Sequence, residues 1–144
     1  MKVADLIQSR TDVYSIRDSD SVHEAARYLR DKEVRAVGVR DATGKLVGVL
    51  SQSDISDKVA AENKPAAATK AAEIMSTNLI SARMDTDIEE CRKLMDQHGI
   101  FHLVVLDATG DYRGMISVTD LLKIAALDQK HRADMLESYI YPQR

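Results

Sequence analysis

The sequence predicts an α+β fold in which a β-α-β-β-α unit occurs twice and the two units pack with pseudo-twofold symmetry. The tetrapeptide DATG begins at residue 41 and again at residue 107, and a shift of 66 residues aligns the flanking segments without a gap. Each DATG joins two runs rich in β-branched residues, with a helix-like pattern on either side. Such self-similarity indicates a tandem duplication.

The elements of the first copy follow from local patterns. Val22, Ala25 and Leu29 recur at helical spacing, and Asp20 or Ser21 can cap the helix that they predict. DATG predicts a hairpin turn because Asp stands first and Gly last. The predicted order is a turn of helix at Val3–Ile7, a strand at Val13–Ile16, the capped helix, strands at Val34–Arg40 and Leu46–Leu50, and a helix from about Ser53.

The second copy repeats this order. Ile88, Cys91 and Met95 form the same apolar stripe, so Cys91 is expected to be a packed core thiol, and Gly99 stands where helices commonly end. Upstream, the copies match only if the QSRTD loop of the first carries two extra residues. The predicted elements are a turn of helix at Ala72–Met75, strands at Leu79–Ala82, Ile100–Leu106 and Tyr112–Ser117, and a helix from about Thr119.

A unit of this size buries too little apolar surface to be stable alone, so the two copies should share one core. We expect repeat 1 at 1–62, a linker at 63–70, repeat 2 at 71–127 and a helical tail at 128–144. The tail should be helical until Pro142 and should pack against the module or a second subunit. Its apolar positions are Leu127, Met135, Leu136, Tyr139 and Ile140.

Composition points to an ordinary globular protein. Of 144 residues, 44% are hydrophobic and 30% charged, and the net charge of −3 gives no broad reason to bind nucleic acid or an anionic membrane. No apolar run is long enough to span a bilayer, and MKVADLIQ lacks the apolar core of a signal peptide. Because the single cysteine allows no intrachain disulfide, we expect a cytoplasmic protein.

Both hairpins end in one pattern: Gly, two apolar residues, Ser, any residue, Ser or Thr, and Asp. It reads GVLSQSD at 48–54 and GMISVTD at 114–120. The Ser and Asp of each copy can form a capping box, which is the common structural explanation of such a pattern. The same carboxylates, Asp54 and Asp120, could instead accept hydrogen bonds from the two hydroxyls of a ribose. The neighbouring Ser53 or Thr119 could reach the sugar or a phosphate near a helix N-terminus.

The doubled unit with this ending resembles a tandem pair of CBS domains, the regulatory modules named after cystathionine β-synthase. AAEIMSTNLISA and GIFHLVVLD are similar to other segments of the family, and the resemblance covers Val3 to about Leu127. It implies two clefts between the repeats that bind adenosine-containing ligands, with AMP the leading candidate and no cofactor required. It also implies a homodimer, and a separate effector enzyme or transporter that responds to the ligand.

The resemblance implies a role for each matching position. Asp54 and Asp120 would hold the ribose diol, and Ser53 and Thr119 would contact ribose or phosphate. Arg35 would contact phosphate, with His102 the second candidate, while Phe101 departs from the basic residue that the family often has there. Adenine would lie between Val13, Tyr14, Leu79 and Ile80, with Ala36, Val37, His102 and Leu103 helping to line the clefts; ordinary core packing is the alternative for these eight positions.

These observations predict a non-catalytic module that senses an adenosine-containing ligand. Its mechanism would be a shift in the population of two arrangements of the repeats. A structural or protein-interaction module, with carboxylates that only cap helices, is the alternative. No segment assembles a nucleophile, a base and an orienting residue, so an enzyme ranks third. Because the chain starts and stops near the repeat edges, we expect no attached effector domain.

Overall fold

The computed structural model describes residues 1–10 and 12–140, with the side chains of residues 135, 136 and 138–140 excepted. The first repeat contains β1 and α2, followed by the hairpin β2–β3 and α3. A π-helical turn, Ser56–Ala60, extends α3, and a 3₁₀ turn, Ala66–Ala68, follows it. The bounds are α1 Val3–Ile7, β1 Ser15–Arg17, α2 Val22–Lys32, β2 Ala36–Arg40, β3 Leu46–Ser51 and α3 Gln52–Ile55.

The second repeat has the same order, with one long helix at its end. The bounds are α4 Ala71–Ile74, β4 Ser81–Arg83, α5 Ile88–His98, β5 His102–Leu106, β6 Tyr112–Ser117 and α6 Val118–Ile140. Each repeat forms a three-stranded sheet in which the first strand runs parallel to the second and the third pairs antiparallel with it. The predicted α+β fold of two β-α-β-β-α units is therefore confirmed.

The two DATG turns have the same geometry. In the first, Oδ1 of Asp41 accepts hydrogen bonds from the backbone N–H of Thr43 and of Lys45 at 2.9 and 3.1 Å. Gly44 adopts φ +87°, in the left-handed region that favours glycine. Asp107 and Gly110 repeat these features in the second turn. The sequence identity of the turns thus reflects identical turn chemistry.

The short leading helices α1 and α4 are exchanged between the repeats: each one packs against the other repeat. The backbone N–H groups of Val3 and Ala4 donate to carbonyls of Thr86 and Met84 in the second repeat. Reciprocally, Ala71 and Ala72 donate to Asp20 and Asp18 in the first. Two leading helices that exchange in this way relate the repeats as a pseudo-twofold pair.

The hydrophobic clusters follow the same exchange. The first contains Val22, Leu29 and Val37 of the first repeat together with Ala71 and Ile74 of α4. The second, around Cys91, Leu103 and Ile116, incorporates Val3 and Ile7 of α1. Neither repeat completes its core from its own elements.

Several element bounds differ from the predicted ones. The first strand of each repeat was expected at Val13 and Leu79, but pairing begins at Ser15 and Ser81. Val13 is 42% exposed, and the pairing of β1 with β2 does not include it. Ser21, one of the two predicted caps, accepts from Glu24 N–H at 3.0 Å, and Gly99 ends α5 with φ +61°.

The tail continues α6 to Ile140, which agrees with the predicted helix. Leu127 is 67% exposed. The expected packing of Met135, Leu136, Tyr139 and Ile140 lies outside the described side chains, and Pro142 lies outside the described residues. Within residues 1–10 and 12–140, no helix combines the length and apolar character that a membrane span requires.

Candidate ligand-binding clefts

The sheet of the first repeat gathers the predicted site residues at one end. Ser15 pairs with Gly38, so Val13 and Tyr14, which precede β1, lie beside the start of β2. Ala36 pairs with Ser51, the residue that caps the helix carrying Asp54. We call this set the first cleft: Val13, Tyr14, Ala36, Val37, Ser53 and Asp54.

The second repeat places its residues in the same way. Ser81 pairs with Val104, so Leu79 and Ile80 lie beside the start of β5, and His102 pairs with Ser117. Ser117 caps α6, which carries Thr119 and Asp120. We call this set the second cleft: Leu79, Ile80, His102, Leu103, Thr119 and Asp120.

Asp54 is largely occupied by its own helix. Its Oδ2 accepts hydrogen bonds from the backbone N–H and the hydroxyl of Ser51, at 2.9 and 3.1 Å, and its own N–H donates to Ser51 Oγ at 3.2 Å. Oδ1 forms a salt bridge with Nζ of Lys58 at 3.0 Å. Only 8% of the residue is exposed. The capping box that the sequence allowed is therefore present.

Asp120 forms the same cap but remains more open. Its Oδ2 accepts from Ser117 N–H at 2.8 Å and forms a salt bridge with Nη2 of Arg10, also at 2.8 Å. No donor among the described residues bonds its Oδ1. The side chain is 22% exposed, against 11% for Asp54. This carboxylate keeps one oxygen available for a ligand hydroxyl.

The sequence interpretation did not include Lys58 and Arg10. Lys58 stands four residues after Asp54, a spacing at which oppositely charged side chains meet on a helix. Its Nζ also donates to the carbonyl of Ile74 in α4 at 2.8 Å. Arg10 lies in the QSRTD loop, where the first copy carries its two extra residues, and donates to the Met115 carbonyl as well as to Asp120. The insertion was thus the available signal for Arg10.

His102 and Arg35 provide further basic groups. Burial lowers the pKa of His102 below its usual range; the negative charge of Asp120 opposes this shift and the positive charge of Arg35 adds to it. The charge of Arg35, a residue of the first repeat, thus acts on a residue of the second cleft. Its side chain is exposed, and no salt bridge to it occurs among the described residues.

The predicted apolar lining divides between core and surface. Val37 and Leu103 are 0% exposed and belong to the two cores. Ala36 is nearly buried, whereas Leu79 and Ile80 are half-buried. The remaining predicted positions lie at the surface or partly so: Ser53 and Thr119 are exposed, as is Val13, and Tyr14 is half-buried.

Tyr14 already has several partners in the structure. Its ring meets that of Tyr28 edge-on, with the centroids 6.3 Å apart, and Nζ of Lys32 lies 5.5 Å from its centroid. Its backbone carbonyl accepts a hydrogen bond from the hydroxyl of Tyr112 at 3.2 Å. Tyr112 comes from the second repeat and is 6% exposed. Burial raises the pKa of Tyr112 to about 12, so the hydroxyl stays a donor at ordinary pH.

The motif glycines let the leading helices approach the sheets. A Cβ on Gly48 would lie 2.6 Å from Sδ of Met75 and 3.0 Å from the Ser76 carbonyl oxygen. Gly114 adopts φ +129°, which side-chain-bearing residues rarely tolerate, and lies against Ile7. The two glycines therefore allow the segments around α4 and α1 to pack against β3 and β6.

A cavity of about 240 Å³ lies between the two DATG turns. It is lined by residues 40, 43–46 and 110–112, and none of them belongs to either predicted set. The Arg40 guanidinium on its wall is already engaged, because it donates to Ser15 Oγ and to the Gly44 carbonyl and lies 5.2 Å from the Tyr112 ring centroid. Neither motif carboxylate therefore lines this cavity.

The geometry described above matches a known family. The family model of the CBS domain matches residues 3–61 and 71–127, once for each repeat. The chain belongs to the CBS-domain family. CBS pairs are regulatory modules, and the predicted tandem CBS pair is confirmed.

Solved CBS pairs share the fold over most of the chain. A CBS protein of Burkholderia ambifaria, described in connection with signal transduction, has a TM-score of 0.83 at 28% identity, covering 90% of this chain and 96% of its own. The CBS pair of protein MJ0100, solved with 5′-methylthioadenosine and S-adenosyl-L-methionine, has a TM-score of 0.79 at 25% identity and covers 89% and 98%. Adenosine-containing small molecules are therefore ligands of a related pair.

Curated relatives include longer proteins that carry CBS domains. The chain is 30% identical over 78% of its length to homoserine O-acetyltransferase of Methanohalobium evestigatum, and 34% identical over 76% to the magnesium transporter MgtE of Thermus thermophilus. It spans 22% and 24% of their lengths, respectively. CBS domains thus occur in both enzymes and transporters.

Proposed function

We propose that the chain is a non-catalytic regulatory module that binds an adenosine-containing ligand, with AMP the leading candidate, in its second cleft. The observation that carries this proposal is the partly exposed carboxylate of Asp120, whose Oδ1 has no donor within the described part of the chain. A ribose diol can donate to this oxygen, and a hydrogen bond to a charged acceptor contributes about 1.5–3 kcal/mol. The exposed hydroxyl of Thr119 is next to it in sequence.

The cations around Asp120 suit a ligand that carries phosphate. Arg10 bonds the carboxylate, and the charges of Asp120 and Arg35 both act on His102. A guanidinium fork matches phosphate oxygens, so Arg10 or Arg35 can bind the phosphate while Asp120 holds the sugar. A neutral ligand such as 5′-methylthioadenosine would leave these cations unused, which is why AMP ranks first.

The ligand would act by joining the two repeats. Arg10 and Arg35 belong to the first half of the chain, whereas His102 and Asp120 belong to the second. A nucleotide that contacts both halves stabilises one relative arrangement, and the population shifts toward it. A separate effector enzyme or transporter would respond to that arrangement. We propose a cytoplasmic location, in keeping with the single cysteine, Cys91, which is free and buried.

We further propose a homodimer through the outer face of the second repeat. Phe101, Leu122 and Leu127 are 67%, 65% and 67% exposed. The carbonyl of Phe101 accepts the N–H of Val118 at 3.0 Å, so Phe101 adjoins the start of the helix that carries the two leucines. Sedimentation at micromolar concentration should give the mass of a dimer, and Leu122→Lys should lower it; a wild-type monomer would contradict this part of the proposal.

One observation favours an alternative function. Both motif carboxylates already satisfy backbone N–H groups at helix starts, as a purely structural motif requires. A protein-interaction module with unused ligand clefts would have the same caps. The two functions differ in one measurable property: adding nucleotide would raise the stability of the sensor but not that of the interaction module.

A thermal-shift panel separates the two functions. Nucleotide-free protein is heated with AMP, ADP, ATP, NADH, S-adenosylmethionine or cyclic di-AMP. A ligand at a hundred times its dissociation constant adds about 2.7 kcal/mol, which raises the Tm by several degrees in a domain of this size. The sensor predicts a shift with an adenosine compound that Asp120→Ala abolishes, with exposed Asp128→Ala as the control. No shift with any compound would favour the interaction module.

A further inference from the structure

We infer that the first cleft is closed by the chain's own side chains, Lys58 and Tyr112, so that one adenosine-containing ligand binds per chain, in the second cleft. This inference rests on the proposed function and specifies which of two homologous sites performs it. The two motifs share the pattern Gly, two apolar residues, Ser, any residue, Ser or Thr, and Asp. The difference between the clefts comes from residues outside this pattern.

Lys58 takes the oxygen of Asp54 that a ribose would need. Oδ2 is held by Ser51, and Oδ1 is held by Nζ of Lys58 at 3.0 Å. The same ammonium group donates to the carbonyl of Ile74 at 2.8 Å, so it joins the π-helical turn after α3 to α4. A diol that approached Asp54 would compete for Oδ1 with an ammonium group that is held at two points.

Tyr112 bonds a second polar group of the first cleft, the backbone carbonyl of Tyr14. The resemblance to CBS pairs implies that adenine lies beside Tyr14 and bonds to backbone groups there. The Tyr14 carbonyl already accepts the Tyr112 hydroxyl at 3.2 Å, and Tyr112 is 6% exposed. A base that entered the first cleft would compete with a buried hydrogen bond between the repeats.

The second cleft lacks counterparts of these two closing side chains. A shift of 66 residues equates Lys58 with Ile124 and Tyr112 with Leu46. Neither isoleucine nor leucine has a side-chain donor. The Asp120 carboxylate and the Ile80 carbonyl instead have Arg10 and the N–H of Val104 as partners, at 2.8 and 3.3 Å. Arg10 bonds Oδ2, so Oδ1 of Asp120 has no donor among the described residues. The side chain of Asp120 is accordingly twice as exposed as that of Asp54, 22% against 11%. Both closing residues thus have apolar counterparts in the other repeat.

Isothermal titration with AMP and, separately, with 5′-methylthioadenosine tests the inference on nucleotide-free protein. Wild type should bind one ligand per chain, and Asp120→Asn should weaken that binding by at least about tenfold. The double variant Lys58→Met with Tyr112→Phe should bind two per chain. Adding Asp54→Asn to the double variant should return it to one. Each variant is first shown to unfold cooperatively. The single variants Lys58→Met and Tyr112→Phe are measured alongside as folding controls.

The possible outcomes separate the inference from the proposed function. Two ligands on wild type, or full binding that survives Asp120→Asn, would overturn the closed first cleft and leave the sensor intact. A double variant that still binds one ligand would overturn the role of Lys58 and Tyr112. If neither probe binds any variant, the inference and the proposed function both fail.

Discussion

Replacing the two motif carboxylates one at a time should have unequal effects on stability. Asp54→Ala removes the acceptor of the Ser51 N–H and hydroxyl and the partner of Lys58. Asp120→Ala removes the acceptor of the Ser117 N–H and the partner of Arg10. The sequence motif is shared, so the difference must come from burial and from the neighbouring cations.

The size of each effect follows from the local contacts. A lost helix cap costs about 1 kcal/mol, and a buried N–H left without an acceptor costs about 1–3 kcal/mol. Lys58 is 46% exposed and Arg10 33%, so water compensates much of each lost ion pair. Asp54→Ala should therefore lower the free energy of unfolding by about 2–3 kcal/mol. Asp120→Ala, at the more exposed carboxylate, should lower the free energy of unfolding by about 1 kcal/mol.

Urea denaturation of nucleotide-free protein measures both values. The slope of free energy against urea should be unchanged, so that the midpoint reports stability alone. Asp57→Ala is the matched control, because Asp57 is exposed and lies next to the same helix. An equal loss in the two variants, or a larger loss for Asp120→Ala, would refute the assignment of Asp54 as the buried structural carboxylate.

Three further predictions concern single residues. Gly48→Ala should lower the free energy of unfolding by about 1–3 kcal/mol because the new Cβ would overlap Met75; an unchanged urea midpoint would contradict the close approach. Burial lowers the pKa of His102, so its contribution to stability should be complete above the unfolded pKa of about 6.5 and be lost as the pH falls through that value toward the lower folded pKa. His102→Gln should flatten this dependence in urea titrations at several pH values, and an unaltered profile would assign it to other groups. Cys91 is 0% exposed and burial raises its pKa, so native protein should not react with Ellman's reagent until urea unfolds it; rapid reaction would disprove the packed thiol.

The repeat made much of the fold predictable. Hairpins, turns and the long helices are local, and DATG with its flanking strands determines each hairpin through contacts between near neighbours. The exchange of α1 and α4 could not be predicted in this way. It depends on bonds such as Val3 to Thr86, which join residues far apart in the chain. The hydrophobic periodicity within α1 or α4 does not indicate which distant segment each helix contacts.

The candidate site was predictable in part for the same reason. The motif identified Asp54 and Asp120 and their caps, because a cap is made within four residues. The difference between the clefts depends on Arg10, which reaches Asp120 across the repeats, and on Tyr112, which reaches Tyr14. Such contacts require the three-dimensional arrangement of the repeats. The pairing of Lys58 with Asp54 was accessible from the sequence because of its helical spacing. The insertion marked the loop of Arg10 but not its partner.

A crystal structure of the chain grown with AMP tests the central claim most directly. We predict one nucleotide per chain, with its ribose hydroxyls on Asp120 and its phosphate beside Arg10 or Arg35, and an intact Lys58–Asp54 bridge in the first cleft. Nucleotide bound at Asp54 with an empty second cleft would contradict the account.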